Sequence, residues 1–157
     1  MSLFLSSFTN KLDAKGRVSV PATFRAAVAG EQFQGVVLYR SFSGQCIEGL
    51  SMSRMEQIAA ATDTMNLFDE KLDELSAMIF ADARQLPFDV TGRIVMPPDL
   101  ISHAGIVVNA DAQGSEILFV GRGHSFQIWE SSKFAIRQAS ALARLQSEKP
   151  NLILNRS

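Results

Sequence analysis

Two short segments of this chain each place an arginine directly after a glycine, in a pattern typical of a tight turn. They are residues 11–21, KLDAKGRVSVP, and residues 87–97, PFDVTGRIVMP. Arginine carries a permanent charge and a planar fork of donors, so at an exposed turn it can bind a phosphate, a carboxylate or the edge of a base. The first segment adds Lys15, a second cation two positions before Arg17.

The two segments are altered copies of one unit. Subtracting 13 from 89 gives 76, and this offset relates Asp13 to Asp89, Gly16 to Gly92, Arg17 to Arg93 and Pro21 to Pro97. The apolar positions keep the same offset: Leu12 and Phe88, Val18 and Ile94, Val20 and Met96, Phe24 and Leu100. Repetition at a constant offset indicates a fold built by duplication.

The pattern predicts that each unit is a strand, a tight turn, a second strand and a short helix. Gly16 supplies the positive φ that such turns often need, and Asp13 can hydrogen-bond the turn's backbone. Residues 17–20 alternate polar and apolar side chains, so the valines should face inward and leave Arg17 on the outer face. Lys15 points the same way if the turn keeps this alternation.

The prolines that close the segments, Pro21 and Pro97, favour the first turn of a helix, and Gly30 and Gly105 follow as stop signals. Two interpretations of the arginines stay open here. Each arginine either solvates the end of a hairpin or binds a partner, and duplication alone would preserve a structural feature too. The presence of two copies favours binding.

Helices are predicted between and after the units. Ser53 and Glu56 have capping-box spacing at the start of one helix, and a second is expected over residues 66–83. In the second half, Ser131 or Ser132 should open an alanine-rich helix. The apolar stripes of these helices predict core or intersubunit packing rather than a ligand site.

Composition is that of an ordinary globular protein of 157 residues with 46% apolar residues. A lone cysteine, Cys46, excludes an intrachain disulfide and suits a reducing cytoplasm. Residues 1–8 are apolar but short and lack a basic leader, so a first strand is expected there rather than a signal peptide. No apolar run approaches the ~20 residues needed to span a bilayer.

The net charge of the chain speaks against DNA binding, whereas the distribution of its charges favours it. Fifteen Lys+Arg against 16 Asp+Glu give a net charge of −1, whereas many DNA-binding proteins are strongly basic. The distribution is uneven, however, because residues 11–25 hold Lys11, Lys15, Arg17 and Arg25 against Asp13, while residues 63–74 hold five carboxylates against one lysine. One such basic patch would bind weakly, so DNA binding would require several copies acting together.

Residue types for catalysis or metal binding are sparse. The histidines His103 and His124 lie far apart, and neither joins Cys46 in a metal-ligand pattern. Residues 121–123, Gly-Arg-Gly, lack the spacing of a phosphate-binding loop and predict a hairpin turn. We therefore expect no catalytic residue, no metal site, no cofactor and no small-molecule substrate.

The paired Asp-x-x-Gly-Arg segments with their prolines resemble the signature of the MraZ family of bacterial transcriptional regulators. Other matching stretches are Phe24-Arg25, Asp82-Ala-Arg84, His103-Ala-Gly-Ile106 and Phe126-Gln-Ile-Trp-Glu130. Two departures lie outside the turns. Cys46 is followed by Ile47 and Glu48 rather than by an aromatic residue and proline, and residues 107–116 form a longer stretch than usual.

The resemblance implies an α+β fold of the AbrB-like type. Two tandem AbrB-like β-unit halves would form an interlocked double-split β-barrel decorated by short helices. Residues 1–83 would be the first half with a helical insert, and residues 84–157 the second half with a C-terminal helix and tail.

The resemblance also implies a function. Such a chain would bind double-stranded DNA at promoter direct repeats upstream of the division and cell-wall gene cluster, usually as a repressor. It would act as a homo-oligomeric ring, in the cytoplasm and associated with the nucleoid rather than with a membrane. The alternative is a protein-interaction or assembly module that uses the same basic turns on an acidic partner.

Carried over by position, the DNA-binding residues would be Lys15 and Arg17, with Lys11 beside them in the basic segment. Arg93 matches Arg17 in the second half, but Thr91 stands where the first half has Lys15. Two alternatives stay open for the second turn: it either contacts DNA through Arg93 or serves the barrel instead.

Overall fold

The computed structural model describes residues 2–108 and 115–148, which form a mixed α+β fold. In chain order the elements are β1 (Ser7–Leu12), β2 (Arg17–Ser19), α1 (Ala22–Ala27), β3 (Gly35–Arg40), β4 (Ile47–Leu50), α2 (Met52–Thr62), α3 (Glu70–Leu75), a π-helical turn (Ser76–Phe80), β5 (Arg84–Pro87), β6 (Arg93–Val95), α4 (Pro98–His103), β7 (Ser115–Gly121), β8 (Phe126–Glu130) and α5 (Ser131–Glu148).

The strands form a six-stranded antiparallel sheet in the order β1-β7-β8-β4-β3-β5 and a separate two-stranded ribbon of β2 and β6. In the sheet, β1 of the first half pairs with β7 of the second, and β5 of the second half pairs with β3 of the first. The halves thus exchange strands. The hydrogen-bonded strands found in the described residues do not close into a barrel, so the double-split barrel and the division at residues 83 and 84 stay predictions.

The ribbon is the symmetric centre of the molecule. Arg17 lies opposite Val95, Val18 opposite Ile94, and Ser19 opposite Arg93. Since Val18 and Ile94 are equivalent positions of the repeat, the two halves are related here by a pseudo-twofold axis. The hydrogen bonds that flank the ribbon obey the same symmetry. The Met96 N–H donates to the Gly16 carbonyl at 2.7 Å, and the Val20 N–H donates to the Gly92 carbonyl at 3.1 Å.

The main core lies between the ribbon and the sheet. Val18, Val20, Ile94 and Met96 are all buried, which confirms that the apolar side chains of each unit face inward. Phe24 of α1 stands at the centre, with its ring centroid 5.2 Å from those of both Phe4 and Phe126. A second cluster lies where α2 and the π-helical turn meet the sheet. No helix in the described part of the chain is long and apolar enough to cross a membrane.

Two predictions about the first half are wrong in detail. The opening segment contributes only a bridge between Phe4 and Gly123, and β1 begins at Ser7. Helix α2 is capped by Ser51, whose hydroxyl accepts from the Arg54 N–H at 3.1 Å, rather than by Ser53. The Ser53 hydroxyl instead donates to the Glu31 carboxylate at 2.8 Å, so the predicted capping box does not form.

The helix predicted over residues 66–83 is shorter than expected. Asn66 accepts from the Phe68 N–H and so holds a turn before the helix. Asp69 then caps α3 by accepting from the Lys71 N–H at 2.9 Å. The helix passes into a π-helical turn and stops at Phe80, where the Ala81 N–H donates to the Ser76 carbonyl.

Two other predictions about the chain are confirmed. Helix α5 begins at Ser131, and residues 122–125 connect β7 to β8 as a hairpin loop. The tail after Pro150 and most of the long stretch between 107 and 116 lie outside the described residues.

Asp82 lies just before β5, and its carboxylate links the start of this strand to the end of β3. Its carboxylate is 8% exposed, accepts from the Arg40 N–H at 2.8 Å and from the Arg40 Nη2 at 2.7 Å, and lies 3.6 Å from Arg84. Arg84 in turn makes a two-point contact with Asp99. The side-chain hydrogen bond from Arg40 is the main cause that holds the pKa of Asp82 below its usual value.

We expect Asp82→Asn to lower the free energy of unfolding at pH 7 by about 1–3 kcal/mol, because the Arg40 donors lose a charged acceptor. A depressed folded-state pKa stabilises the fold above the unfolded value near 4, and that stability is lost as the pH falls below it. Urea unfolding at pH 7 and pH 3 measures both effects. The variant should show a smaller loss between these pH values than the parent. Equal unfolding midpoints for both proteins at pH 7 would contradict this role.

Candidate nucleic-acid interface

The first Gly-Arg turn is organised by one carboxylate. Asp13 Oδ1 accepts from the backbone N–H groups of Lys15 at 2.9 Å and of Arg17 at 2.8 Å. Asp13 Oδ2 accepts from the Arg17 Nε at 2.7 Å. Gly16 closes the turn with φ of 83° and donates its N–H to the Asp13 carbonyl at 3.0 Å. A single side chain therefore fixes both the backbone and the arginine.

The second turn repeats this hydrogen-bond pattern. Asp89 Oδ1 accepts from the backbone N–H groups of Thr91 and Arg93, both at 2.9 Å, and Asp89 Oδ2 accepts from the Arg93 Nε at 2.9 Å. Gly92 has φ of 81°. The Thr91 hydroxyl also donates to Asp89 at 2.8 Å, so the residue that replaces Lys15 binds back into its own turn.

Both carboxylates are held in their ionised form. The backbone hydrogen bond from Arg17 is the largest cause that lowers the pKa of Asp13, and the one from Arg93 acts likewise to lower the pKa of Asp89. The arginines consequently meet a charged acceptor on Nε at neutral pH.

The contact with Asp13 leaves most of the Arg17 guanidinium available. Its side chain is 38% exposed, and in the described part of the chain neither Nη1 nor Nη2 has a hydrogen-bond partner. Among the same described residues, Arg93 is likewise engaged through Nε alone. Each arginine thus keeps two terminal nitrogens for a further ligand while its stem is held by the aspartate. The turn lies at the surface of the chain.

The ribbon brings the two arginines to one face. Arg17 and Arg93 both lie on the outer face of β2 and β6, in diagonal positions of the antiparallel pair. Such diagonal neighbours are about 7–8 Å apart. The exposed side chain of Val95 stands opposite Arg17. The sequence placed these residues in separate halves, and the structure joins them in one surface.

Lysines flank this surface unequally. Lys15 is exposed in the first turn. Lys11 is exposed on β1 and stands opposite Glu116 of β7. Strand β1 is tied to the ribbon because the Asn10 side chain donates to the Ser19 carbonyl at 2.6 Å. Lys15 therefore adds a cation at the turn, whereas Lys11 faces a carboxylate across the strand pair.

Arg25 is a neighbour of the site that the sequence pattern did not assign to it. Its Nε donates to the Val20 carbonyl at 3.1 Å, and its guanidinium lies against Gly92, where a Cβ would meet the Arg25 side chain at 2.7 Å. The first half thus supports the second turn. The repeat gives no sign of this contact, because the equivalent of Arg25 in the second half is Ile101.

Features of an enzyme or metal site are lacking in the part of the chain that the structure describes. No group of three His, Cys, Asp or Glu side chains there could hold a metal ion. Cys46 is buried, and this burial raises the pKa of its thiol to about 11, so it is protonated and a poor nucleophile at neutral pH.

The first turn requires a residue that adopts positive φ at position 16. We expect Gly16→Ala to destabilise the fold by at least about 1 kcal/mol, because alanine at positive φ is strained and its Cβ would lie 3.1 Å from the Met96 carbonyl oxygen. Thermal unfolding measures this loss.

Two other glycines serve as controls for that variant. Gly123 shares the positive φ but has open space around it, and Gly30 has neither constraint. The expected order of destabilisation is Gly16→Ala, then Gly123→Ala, then Gly30→Ala. A Gly16 variant as stable as the Gly30 variant would disprove the proposed turn constraint.

Comparison with known proteins agrees with the duplicated site. The family model described as "MraZ protein, putative antitoxin-like" matches the chain twice, over residues 3–75 and 79–152. A protein of Rickettsia peacockii named "Transcriptional regulator MraZ" is 39% identical over 149 residues, which cover 95% of each chain. A protein of the same name from Pelagibacter ubique is 42% identical, over 84% of this chain and 81% of its own.

The two family matches each contain one Gly-Arg turn, so the repeat seen in the residues is the repeat of the family model. The duplicated turns, the strand exchange between halves and the extent of these matches lead to one conclusion: the chain belongs to the MraZ family.

Proposed function

We propose that this chain is a transcriptional regulator that binds double-stranded DNA through the outer face of the β2–β6 ribbon and the first turn. The observation that carries the proposal is that Lys15 is exposed beside the half-buried Arg17, which is held through Nε and has no partner on either Nη atom among the described residues. The relatives' name, transcriptional regulator, supports it. Regulation would be repression of the division and cell-wall gene cluster, by a cytoplasmic protein associated with the nucleoid.

Arg17 is suited to read a base. Guanine presents two acceptors, O6 and N7, in the major groove, and a guanidinium can bind both at once. Asp13 restricts the rotation of the guanidinium by holding Nε, so less conformational entropy is lost when the Nη atoms bind. Direct reading of guanine is therefore the role that we assign to Arg17.

Lys15 is suited to neutralise phosphate. Its ammonium group is a compact charge on a flexible stem, which satisfies a phosphate without demanding a fixed geometry. Phosphate contacts place a protein on the duplex, whereas contacts with base edges select the sequence. The first turn thus combines one residue of each kind within three positions.

The second turn would contribute less. Arg93 has the same hold on Nε as Arg17, but Thr91 brings no charge and its hydroxyl is engaged by Asp89. Because Arg17 and Arg93 share one face, Arg93 is placed to make a supporting contact with the backbone of the same duplex. Lys11, opposite Glu116, would add only long-range attraction.

Self-association would supply the affinity that one turn lacks. With a net charge of −1, a single copy offers few unpaired cations to DNA. Several copies on one duplex raise the affinity through effective concentration. Copies arranged head to tail, as in a ring, present their turns in the same direction, and this arrangement fits direct repeats rather than palindromes.

The alternative function is an assembly module that binds an acidic protein surface. The two arginines, each already beside an aspartate, are compatible with either partner. DNA binding is preferred because the ribbon places both arginines and an exposed valine on one face, where charge and apolar contact meet.

We expect Arg17→Ala to weaken binding to DNA from upstream of its own gene by 10- to 100-fold, since a bidentate base contact contributes about 1–3 kcal/mol. Lys15→Ala should weaken binding to that DNA and to a scrambled duplex alike, and should reduce the salt slope by about 0.9. Fluorescence anisotropy at several salt concentrations measures both.

Arg122→Ala is the matched control, because this exposed arginine lies in the loop between β7 and β8. It should bind like the parent. Arg17→Ala protein that still distinguishes the two duplexes would refute the assignment. Binding by none of the proteins, with retention on an acidic polypeptide, would favour the alternative.

Asp13→Asn distinguishes the orientation of Arg17 by Asp13 from the effect of the Asp13 charge on DNA binding. Asparagine can still accept the backbone hydrogen bonds of the turn, but it holds Arg17 less strongly, while the site gains one unit of positive charge. Simple electrostatics would give tighter binding to all DNA. We expect the ratio between upstream and scrambled duplex to fall several-fold, even if binding to scrambled DNA strengthens. A preserved ratio would show that Asp13 does not position Arg17.

A further inference from the structure

The chain carries two apolar surfaces that nothing in its described residues covers. The first, termed the acidic groove, has a volume of about 450 Å³ and is lined by Phe42, Lys71, Glu74, Leu75 and Met78. The Phe42 side chain is 61% exposed. Exposed apolar patches with a polar rim mark sites of interaction between proteins.

The second surface is helix α5. It has 18 residues, hence a length of about 27 Å, and no residue of it is buried. Contact with the body is concentrated at its start, where Phe134 packs against Trp129 with ring centroids 5.7 Å apart. Leu142 and Leu145, further along, are 56% and 53% exposed. Most helices of this length owe their stability to a packed apolar face, which α5 does not obtain within the described chain.

The duplication shows what α5 lacks. Subtracting 53 from 132 gives an offset of 79 between α2 and α5. At this offset, Arg137 of α5 is the repeat equivalent of Ile58 of α2. In the first half, Ile58 belongs to the cluster that includes Leu75 of α3 and Ile79 of the π-helical turn. In the second half, no counterpart of α3 follows α5 within the described residues. The side of α2 that joins this cluster therefore corresponds to a side of α5 that no later helix covers within the described residues.

Charge makes the two surfaces complementary. Helix α3 carries Glu70, Asp73 and Glu74 against Lys71. On α5, Arg137 and Arg144 are two turns apart on one side, within about 100° of Leu145 around the helix axis. Within the ranges that the structure describes, none of these carboxylates or guanidinium groups forms an ion pair. Opposite charges on the rims of apolar patches fix the register of a contact and exclude wrong partners.

We infer that the acidic groove and helix α3 of one copy bind helix α5 of a second copy. Leu142 and Leu145 would cover Phe42 and Met78, and the α5 arginines would face the α3 carboxylates. The contact joins two different surfaces, so it repeats from copy to copy and closes into a ring if the rotation permits. This inference rests on the self-association included in the proposed function and names its surfaces.

The test is a charge swap measured by light scattering after size exclusion. The parent should be larger than one subunit of 17.2 kDa. Arg137→Glu with Arg144→Glu should fall to the mass of one subunit, and so should Asp73→Arg with Glu74→Arg. An equimolar mixture of the two double variants should assemble again beyond two copies, because the acidic α5 of one variant fits the basic α3 of the other and the unchanged α5 and α3 still fit each other.

Glu56→Arg on α2 and Arg122→Glu in the loop between β7 and β8 are controls that reverse charge elsewhere, and both should keep the parent's mass. A monomeric parent, double variants that keep the parent's mass, or a mixture that stays monomeric would each overturn the inference. Covering of α5 by the chain's own tail would show as a monomeric parent.

Binding to DNA is a separate readout of the same proteins. The Arg17→Ala protein should assemble like the parent although it loses selective binding. The α5 double variant should keep the discrimination of the first turn, at lower affinity. Loss of the proposed interface therefore changes the mass of the assembly, whereas loss of the proposed DNA-binding site changes the discrimination between duplexes.

Discussion

The carboxylate that opens each Gly-Arg turn is the interaction on which the site depends. Asp13 binds two backbone N–H groups and the stem of Arg17, and Asp89 does the same for Arg93. The carboxylate therefore sets the turn and the arginine together, and the glycine at positive φ permits the bend. An ion pair at a surface contributes little to stability. Its value here lies in the orientation of a side chain whose terminal nitrogens remain available.

Pairing between the halves turns two local turns into one surface. The pseudo-twofold axis through Val18 and Ile94 puts both arginines on the outer face of the ribbon, while the equivalent apolar side chains enter the core. The copies have diverged where symmetry is not needed for the core. Thr91 replaces Lys15, and within the described residues no counterpart of α3 follows α5. In the proposed function, the first asymmetry distinguishes a stronger from a weaker DNA-binding turn, and in the further inference the second leaves complementary surfaces for a second copy.

The sequence was sufficient for features that follow from short-range rules. The alternation around Val18 and the glycine in the turn predicted the inward valines and the bend, and both are confirmed. The capping box at Ser53 is wrong because Glu31, distant in sequence, binds the Ser53 hydroxyl and leaves Ser51 as the cap. The contact between Arg25 and Gly92, and the shared face of Arg17 and Arg93, depend on strand exchange between halves. No local pattern contains that information.

In the proposed mechanism, Asp13 acts on DNA recognition through Arg17. A double-mutant cycle tests it most directly, with binding free energies to upstream and scrambled duplex measured for the parent, Asp13→Asn, Arg17→Ala and the double variant. If Asp13 acts through Arg17, Asp13→Asn reduces the discrimination between the two duplexes in the parent and leaves it unchanged once Arg17 is alanine. Additive losses of discrimination from the two substitutions would contradict it.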